Sequence, residues 1–160
     1  MIRVGFGQDI HRLVSGRRFL LGGVELEADY GELGHSDGDV LAHAVIDAFL
    51  GAAGLGDIGE LFPPSDEKWR DADSMKLLKI AFNLVKKDAW RLVNLDCVVI
   101  CSAPKVLPYR EKIRYSLAEV LEASPEVVFV KGKTNEGLGY LGEGKAVEAF
   151  AVCLLEKENG

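Results

Sequence analysis

Apolar residues along the chain follow two rhythms. In "IRVGFGQDIHRL" the residues Ile2, Val4 and Phe6 alternate with small or polar ones, and this period of two predicts a strand. "RRFLLGGVELEADYG" sets a Gly-Gly pair between apolar runs, which predicts a hairpin-like pair of strands. From Val40 to Ala53 almost every side is apolar, the mark of a buried helix, and Gly54 ends it. "DSMKLLKIAFNLVKK" carries Leu77, Leu78, Ala81, Leu84 and Val85 on one helical stripe, with Ser74 as its expected cap.

"WRLVNLDCVVICSA" and "EVVFVKGKT" read as strands, and between them Pro108 opens the helix "YREKIRYSLAEVLEA". Two stretches have neither rhythm: "GLGDIGELFPPSDEKWRDAD" and the glycine-rich "NEGLGYLGEG". The first, at about twenty residues, exceeds an ordinary connection and is expected to be functional or mobile. The tail "KAVEAFAVCLLEK" fits helix by its alanines and strand by its alternation, so periodicity leaves it open. No repeat or linker interrupts the pattern. The expectation is one α+β domain over residues 1–160, with a mixed β-sheet and about three helices.

Composition narrows the function classes. The chain has 160 residues, 48% hydrophobic and 28% charged, with a net charge of −6, which argues against a general nucleic-acid surface. No run is apolar enough for a membrane span, and Met1 leads directly into strand-like sequence with no signal segment. Cys97, Cys101 and Cys153 are odd in number and lack zinc-ribbon spacing, so reduced buried thiols and a cytoplasmic setting are expected.

Chemistry concentrates around three histidines, His11, His35 and His43. On a strand Asp9 and His11 share one face, so a carboxylate and an imidazole can reach one divalent ion. His43 lies inside an apolar helix and needs a polar partner. It is either a core histidine bonded to a carbonyl or the third member of an Asp-His-His set, a donor set that suits zinc with a fourth position open. A helix running from Ser36 or Asp37 would place His35 and His43 about 12 Å apart, too far for one ion. Asp37 and Asp39 are expected as cap and first-turn acids, and Asp39 or Asp47, four residues either side of His43, as partners that orient its ring. "CSAPKVLP" and "VKGKTNEGLG" each offer lysines (Lys105; Lys131 and Lys133) where a strand ends, an arrangement suited to phosphate.

"GxDxH", "HSDGDVLAHAVIDAFLGAAGLGDIGELFP", "APK" followed by "LP", and "KTNEGLG" occur in an order that closely resembles the 2-C-methyl-D-erythritol 2,4-cyclodiphosphate synthase family across essentially the whole chain. That resemblance implies a homotrimer of ferredoxin-like or chorismate-mutase-like α+β subunits, helices packed on one face of the sheet and active sites between neighbours. It implies Zn2+ held by Asp9, His11 and His43, and a second divalent ion, Mg2+ or Mn2+, at Glu136. The substrate implied is a CDP-linked methylerythritol 2-phosphate, converted to the cyclic diphosphate and CMP, with no nucleic-acid or membrane partner.

By the same resemblance His35 and Thr134 are catalytic, and Ser36 meets substrate phosphate. Asp57, Ile58, Gly59, Phe62, Pro63, Pro64, Ser65 and Asp66 would bind the methylerythritol portion. Cys101, Ser102, Ala103, Pro104, Lys105, Val106 and Leu107 would form the cytidine pocket, with Lys133, Asn135 and Tyr140 completing the substrate contacts. Lys133 and Asn135 stand where the family commonly has threonines. Glu143 and Lys145 stand where an arginine and a glutamate are usual, and Gln8 replaces a more usual aromatic or apolar residue.

Overall fold

The computed structural model describes residues 1–157. In chain order its elements are β1 (Ile2–Ser15), β2 (Phe19–Leu21), β3 (Val24–Leu26), β4 (Tyr30–Leu33), α1 (Val40–Ala53), α2 (Ile58–Leu61), α3 (Ser74–Lys87), β5 (Arg91–Ile100), α4 (Arg110–Val120), β6 (Val128–Lys133), α5 (Gly139–Gly142) and β7 (Ala146–Glu156). The expected single α+β domain with a mixed sheet is what forms. Five strands lie in the order β4-β1-β7-β5-β6, with β5 and β6 parallel and the other pairs antiparallel; β2 and β3 make a separate hairpin.

The ambiguous tail is β7, the central strand. It pairs with β1 on one side and β5 on the other, and these two ladders override the helix preference of its alanines. Ala149, Ala151, Cys153 and Leu155 are buried against the helices, as are Leu95, Cys97 and Val99 of β5 and Val128 and Val130 of β6. Leu78 and Phe82 of α3 and Ile113 and Leu117 of α4 belong to the same core. All three cysteines are buried and unpaired.

α1 lies directly on the backbone of β1. A Cβ on Gly5 would stand 1.9 Å from the Ala48 carbonyl oxygen, and one on Gly7 would stand 1.9 Å from that of Ala44, so neither position accommodates a side chain. On the other face of the same strand Ile2, Val4 and Phe6 are 67%, 66% and 62% exposed.

One helix boundary differs from expectation and one premise fails. α1 runs from Val40 to Ala53 as the apolar run predicts, because the Asp39 carboxylate accepts from Ala42 N at 2.9 Å and caps it there; the start at Ser36 or Asp37 that the 12 Å spacing assumed does not form. Asp39 also accepts from Gly22 N and Gly23 N, both of positive φ, and so ties the β2–β3 turn to the start of α1. In α3 the cap is Asp73, which accepts from Met75 N at 2.9 Å; Ser74 is the first helical residue and its hydroxyl points elsewhere. The long aperiodic stretch contains α2 and a 3-10 turn at Glu67–Trp69. The first and last strands are neighbours throughout: Met1 N donates to Lys157 O at 2.8 Å and Lys157 N to Met1 O at 2.9 Å.

Candidate metal centre and flanking clefts

On β1 the side chains of Asp9 and His11 follow Gly5 and Gly7 on the helix-facing side. The close approach of α1, permitted by those glycines, brings His43 from the first turn of the helix onto the same spot. Asp9, His11 and His43 each offer one ligand atom, and these atoms lie within 4.8 Å of one another. Asp9 Oδ2 is 3.0 Å from His11 Nε2 and 3.0 Å from His43 Nδ1. Two donors bound tetrahedrally at about 2.0–2.1 Å would stand about 3.3 Å apart, close to the two spacings that Asp9 makes.

The bonds on the far side of each ring support a cation at this point. His11 Nδ1 is 2.6 Å from the Gly38 carbonyl, which only accepts, so that nitrogen carries a proton. Its Nε2 faces a carboxylate, which also only accepts; either a second proton or a metal cation must lie between them. The charges agree. Burial alone would raise the Asp9 carboxyl, but hydrogen bonds and charge from His11 and His43 outweigh it and hold the group well below the usual carboxylate range. Burial would lower His11, and the Asp9 hydrogen bond and charge raise it above an ordinary histidine.

His43 is oriented by groups other than the expected ones. Its Nε2 lies 2.9 Å from Ser36 Oγ and 2.9 Å from Ser74 Oγ. Asp39 is committed to backbone N–H groups, and Asp47 accepts from Ile58 N at 2.8 Å, so neither reaches the ring. Asp37 caps no turn of α1; it accepts from Ser74 N and Ser74 Oγ instead. Ser74 was legible only as a helix start, because its partners are distant in sequence.

His35 is outside the ligand cluster, but helix spacing is not the reason. Residues 34–39 form a loop that folds back, so that Ser36 touches His43 across seven positions. Arg17 holds this loop by donating to the carbonyls of Glu32 and Ser36, each at 3.1 Å. Asp71 N bonds to His35 O and Asp37 N to Ala72 O, which fastens the loop to the segment before α3.

A cleft of about 200 Å³ opens beside the cluster. His11, His35, Ser36 and His43 form its polar end; Ile58, Gly59, Phe62 and Pro64 line the rest, together with Trp69 and Leu77, which sequence reasoning missed. Asp57 sits at its edge as the cap of α2, accepting from Glu60 N. Asp66 pairs with Lys68, and neither it nor Pro63 nor Ser65 lines the cleft.

A second cleft of about 280 Å³ shares no residue with the first. Cys101, Ser102, Pro104, Lys105, Val106 and Leu107 line one side, and Lys133 and Thr134 the other, with Arg110 added by the structure. Ala103 faces a neighbouring hollow. Lys131 is not part of this cleft: it is paired with Asp96 at 2.5 Å. Thr134 Oγ1 donates to Glu136 at 3.1 Å, and Asn135 Nδ2 to Leu138 O, which shapes the turn after β6. Tyr140 lies beyond it, exposed, beside Ile10, Arg12 and Lys145. Glu143 and Lys145 pair with each other, and Gln8 Nε2 donates to Glu148.

A family model described as the YgbB family matches residues 2–156. The chain belongs to the YgbB family. A protein of Treponema denticola named 2-C-methyl-D-erythritol 2,4-cyclodiphosphate synthase is 52% identical over 154 residues, which cover 96% of each chain. One of the same name from Fusobacterium nucleatum is 49% identical over 158 residues, 99% of each chain. Among solved structures, the CDP-bound form of a 2C-methyl-D-erythritol-2,4-cyclodiphosphate synthase superposes with a TM-score of 0.89 at 39% identity, covering 96% of this chain and 100% of that one. The bifunctional IspDF of Campylobacter jejuni superposes with a TM-score of 0.95 at 38% identity, and this YgbB chain corresponds to 43% of it. Among the described residues no helix is long and apolar enough to cross a membrane.

Proposed function

We propose that this YgbB protein converts 4-diphosphocytidyl-2-C-methyl-D-erythritol 2-phosphate to 2-C-methyl-D-erythritol 2,4-cyclodiphosphate and CMP. The observation that carries the reading is the Asp9–His11–His43 cluster at the mouth of a largely apolar cleft whose polar end holds His35 and Ser36. The relatives' name and the CDP-bound neighbour support the substrate class.

Asp9, His11 and His43 would hold zinc, which when bound supplies Lewis acidity toward phosphate oxygens. The rest falls to the chain. Ile58, Phe62, Trp69 and Leu77 take the carbon skeleton and exclude water, so that the substrate's own phosphate rather than water reaches phosphorus. His35 and Ser36 donate to the 2-phosphate and aim it. An oxygen of that phosphate forms a bond to the β-phosphorus as the bond to the CMP oxygen breaks, and CMP departs with the electron pair. Placing nucleophile and phosphorus in one bound molecule is worth effective molarities of about 10⁵–10⁸ M.

The second cleft, with Lys105, Lys133 and Thr134, suits the nucleotide and its diphosphate, and Glu136, which accepts from Thr134 Oγ1, would hold a second divalent ion, magnesium or manganese. Two clefts without a common residue in one chain support a homotrimer in which each complete site is built by neighbouring subunits. The exposed apolar side of β1, continued by Val152 and Phe129, supplies a face for that contact. Incubation with the substrate, Zn2+ and Mg2+ is expected to release CMP and the cyclic diphosphate in equal amounts. Linear phosphate products would make the protein a hydrolase, and no turnover would sink the proposal.

A further inference from the structure

The two serines on His43 are not equivalent. The imidazole Nε2 lies 2.9 Å from both Ser36 Oγ and Ser74 Oγ, yet it has one proton to give. Ser74 is fully buried, and its hydroxyl lies 2.5 Å from Asp37 Oδ1, a carboxylate that only accepts. The Ser74 proton therefore goes to Asp37, which leaves Ser74 Oγ only lone pairs for the ring. Asp37 is held in place for this by Ser74 N at 3.0 Å and Asp39 N at 3.2 Å. Ser36 differs: its oxygen accepts weakly from Gly38 N at 3.3 Å, and once the ring's Nε2 carries the proton the nearest acceptor left for the Ser36 hydroxyl is Ser74 Oγ at 3.2 Å.

We propose that Asp37 and Ser74 are positioning residues that fix the Nε2–H form of His43, so that Nδ1 presents its lone pair to the metal and the Ser36 hydroxyl stays available to the bound phosphate. The relay mirrors the bond from Gly38 O to His11 Nδ1, which fixes the opposite nitrogen as ligand in the other ring. It also ties the metal centre to the first residue of α3, immediately after the segment that carries Phe62 and Trp69. This inference rests on the metal reading of the preceding section.

The test is zinc affinity, measured by competition with a chromophoric chelator, for the wild type, Ser74→Ala, Asp37→Asn and Ser36→Ala. Ser74→Ala is expected to weaken zinc binding about 10- to 100-fold, the usual effect of losing the outer partner of a ligating imidazole. Asp37→Asn follows in the same direction, because its amide keeps only one acceptor. Ser36→Ala is expected to bind zinc within about threefold of wild type while its kcat/KM falls. A merely structural role would lower the melting temperature of the metal-free Ser74→Ala protein and leave its zinc affinity alone. Imidazole 15N shifts of the zinc-loaded wild type are expected to place the His43 proton on Nε2. Zinc binding unchanged in Ser74→Ala and Asp37→Asn, zinc binding equally weakened in Ser36→Ala, or a proton on Nδ1 would each overturn the proposal. A wild-type chain that takes up no zinc overturns the metal reading itself and this inference with it.

Discussion

The two faces of β1 divide their residues against the usual rule. The face turned toward α1 carries Gly5, Gly7, Asp9 and His11; the face turned away carries Ile2, Val4, Phe6 and Ile10, all exposed. Small and polar residues are inside and large apolar ones outside. The inner face gathers the candidate metal cluster, where α1 comes close enough to deliver His43, and the outer face is left uncovered in the single chain. One strand thus carries two surfaces of opposite character, and the alternation of its side chains keeps them apart.

Breaking the inner face has the largest expected effect. In Gly7→Ala the new Cβ falls 1.9 Å from Ala44 O and 2.7 Å from Ala48 N, both backbone atoms that cannot give way. Denaturant unfolding is expected to show a loss of more than about 4 kcal/mol or no folded protein at all. Next in size, His43→Ala leaves the backbone contact intact and removes a ligand. It is expected to keep a cooperative melt while zinc content and CMP release both fall by more than the about 100-fold upper effect of an outer partner. A histidine serving only the core would cost stability with zinc content unchanged.

The outer face is tested by Phe6→Asp. Because that side chain is exposed in the single chain, the fold is expected to survive, and light scattering on the eluted protein should report one subunit rather than three. A trimer that persists would separate the apolar face from assembly.

The smallest effect sharpens the contrast from a neighbouring position. Glu32 is fully buried, and burial, reinforced by the charge of Asp39, pushes its carboxyl up to about 10 despite hydrogen bonds from Leu20 N and Val40 N. A folded pKa above the unfolded value means the stabilising proton is fully present below about pH 4.5 and is lost as pH rises toward 10. Between pH 6 and pH 9 the wild type is expected to lose melting temperature that Glu32→Gln keeps. Parallel curves would show that Glu32 is already ionised.

Much of this was readable from residue order. The strand at Ile2–Ser15, the Gly-Gly hairpin, the apolar helix closed by Gly54 and the shared face of Asp9 and His11 follow from local rhythm and donor chemistry, while the resemblance was needed to choose His43 as their third member. What periodicity could not convey is which face of β1 is covered, because that depends on the helix laid over it. The 12 Å spacing of His35 and His43 assumed helix back to Ser36 or Asp37, and the loop at residues 34–39 was hidden for a similar reason: Asp39 caps at a position chosen by its bonds to the β2–β3 turn, which are distant in sequence. Ser74 and Trp69 were missed because their partners are likewise assembled only by the tertiary fold.

β1 and β7 are antiparallel neighbours from Ile2 opposite Glu156 to Arg12 opposite Ala146, which brings Met1 beside Lys157. The described chain is thereby almost a closed loop in space, and its two ends are interchangeable with any other exposed break. A short linker joining them, with a new opening at the turn of residues 122–124 between α4 and β6, would leave every ligand and both clefts on unbroken elements. The same adjacency would let a further domain be attached at either end of the sheet without threading through it.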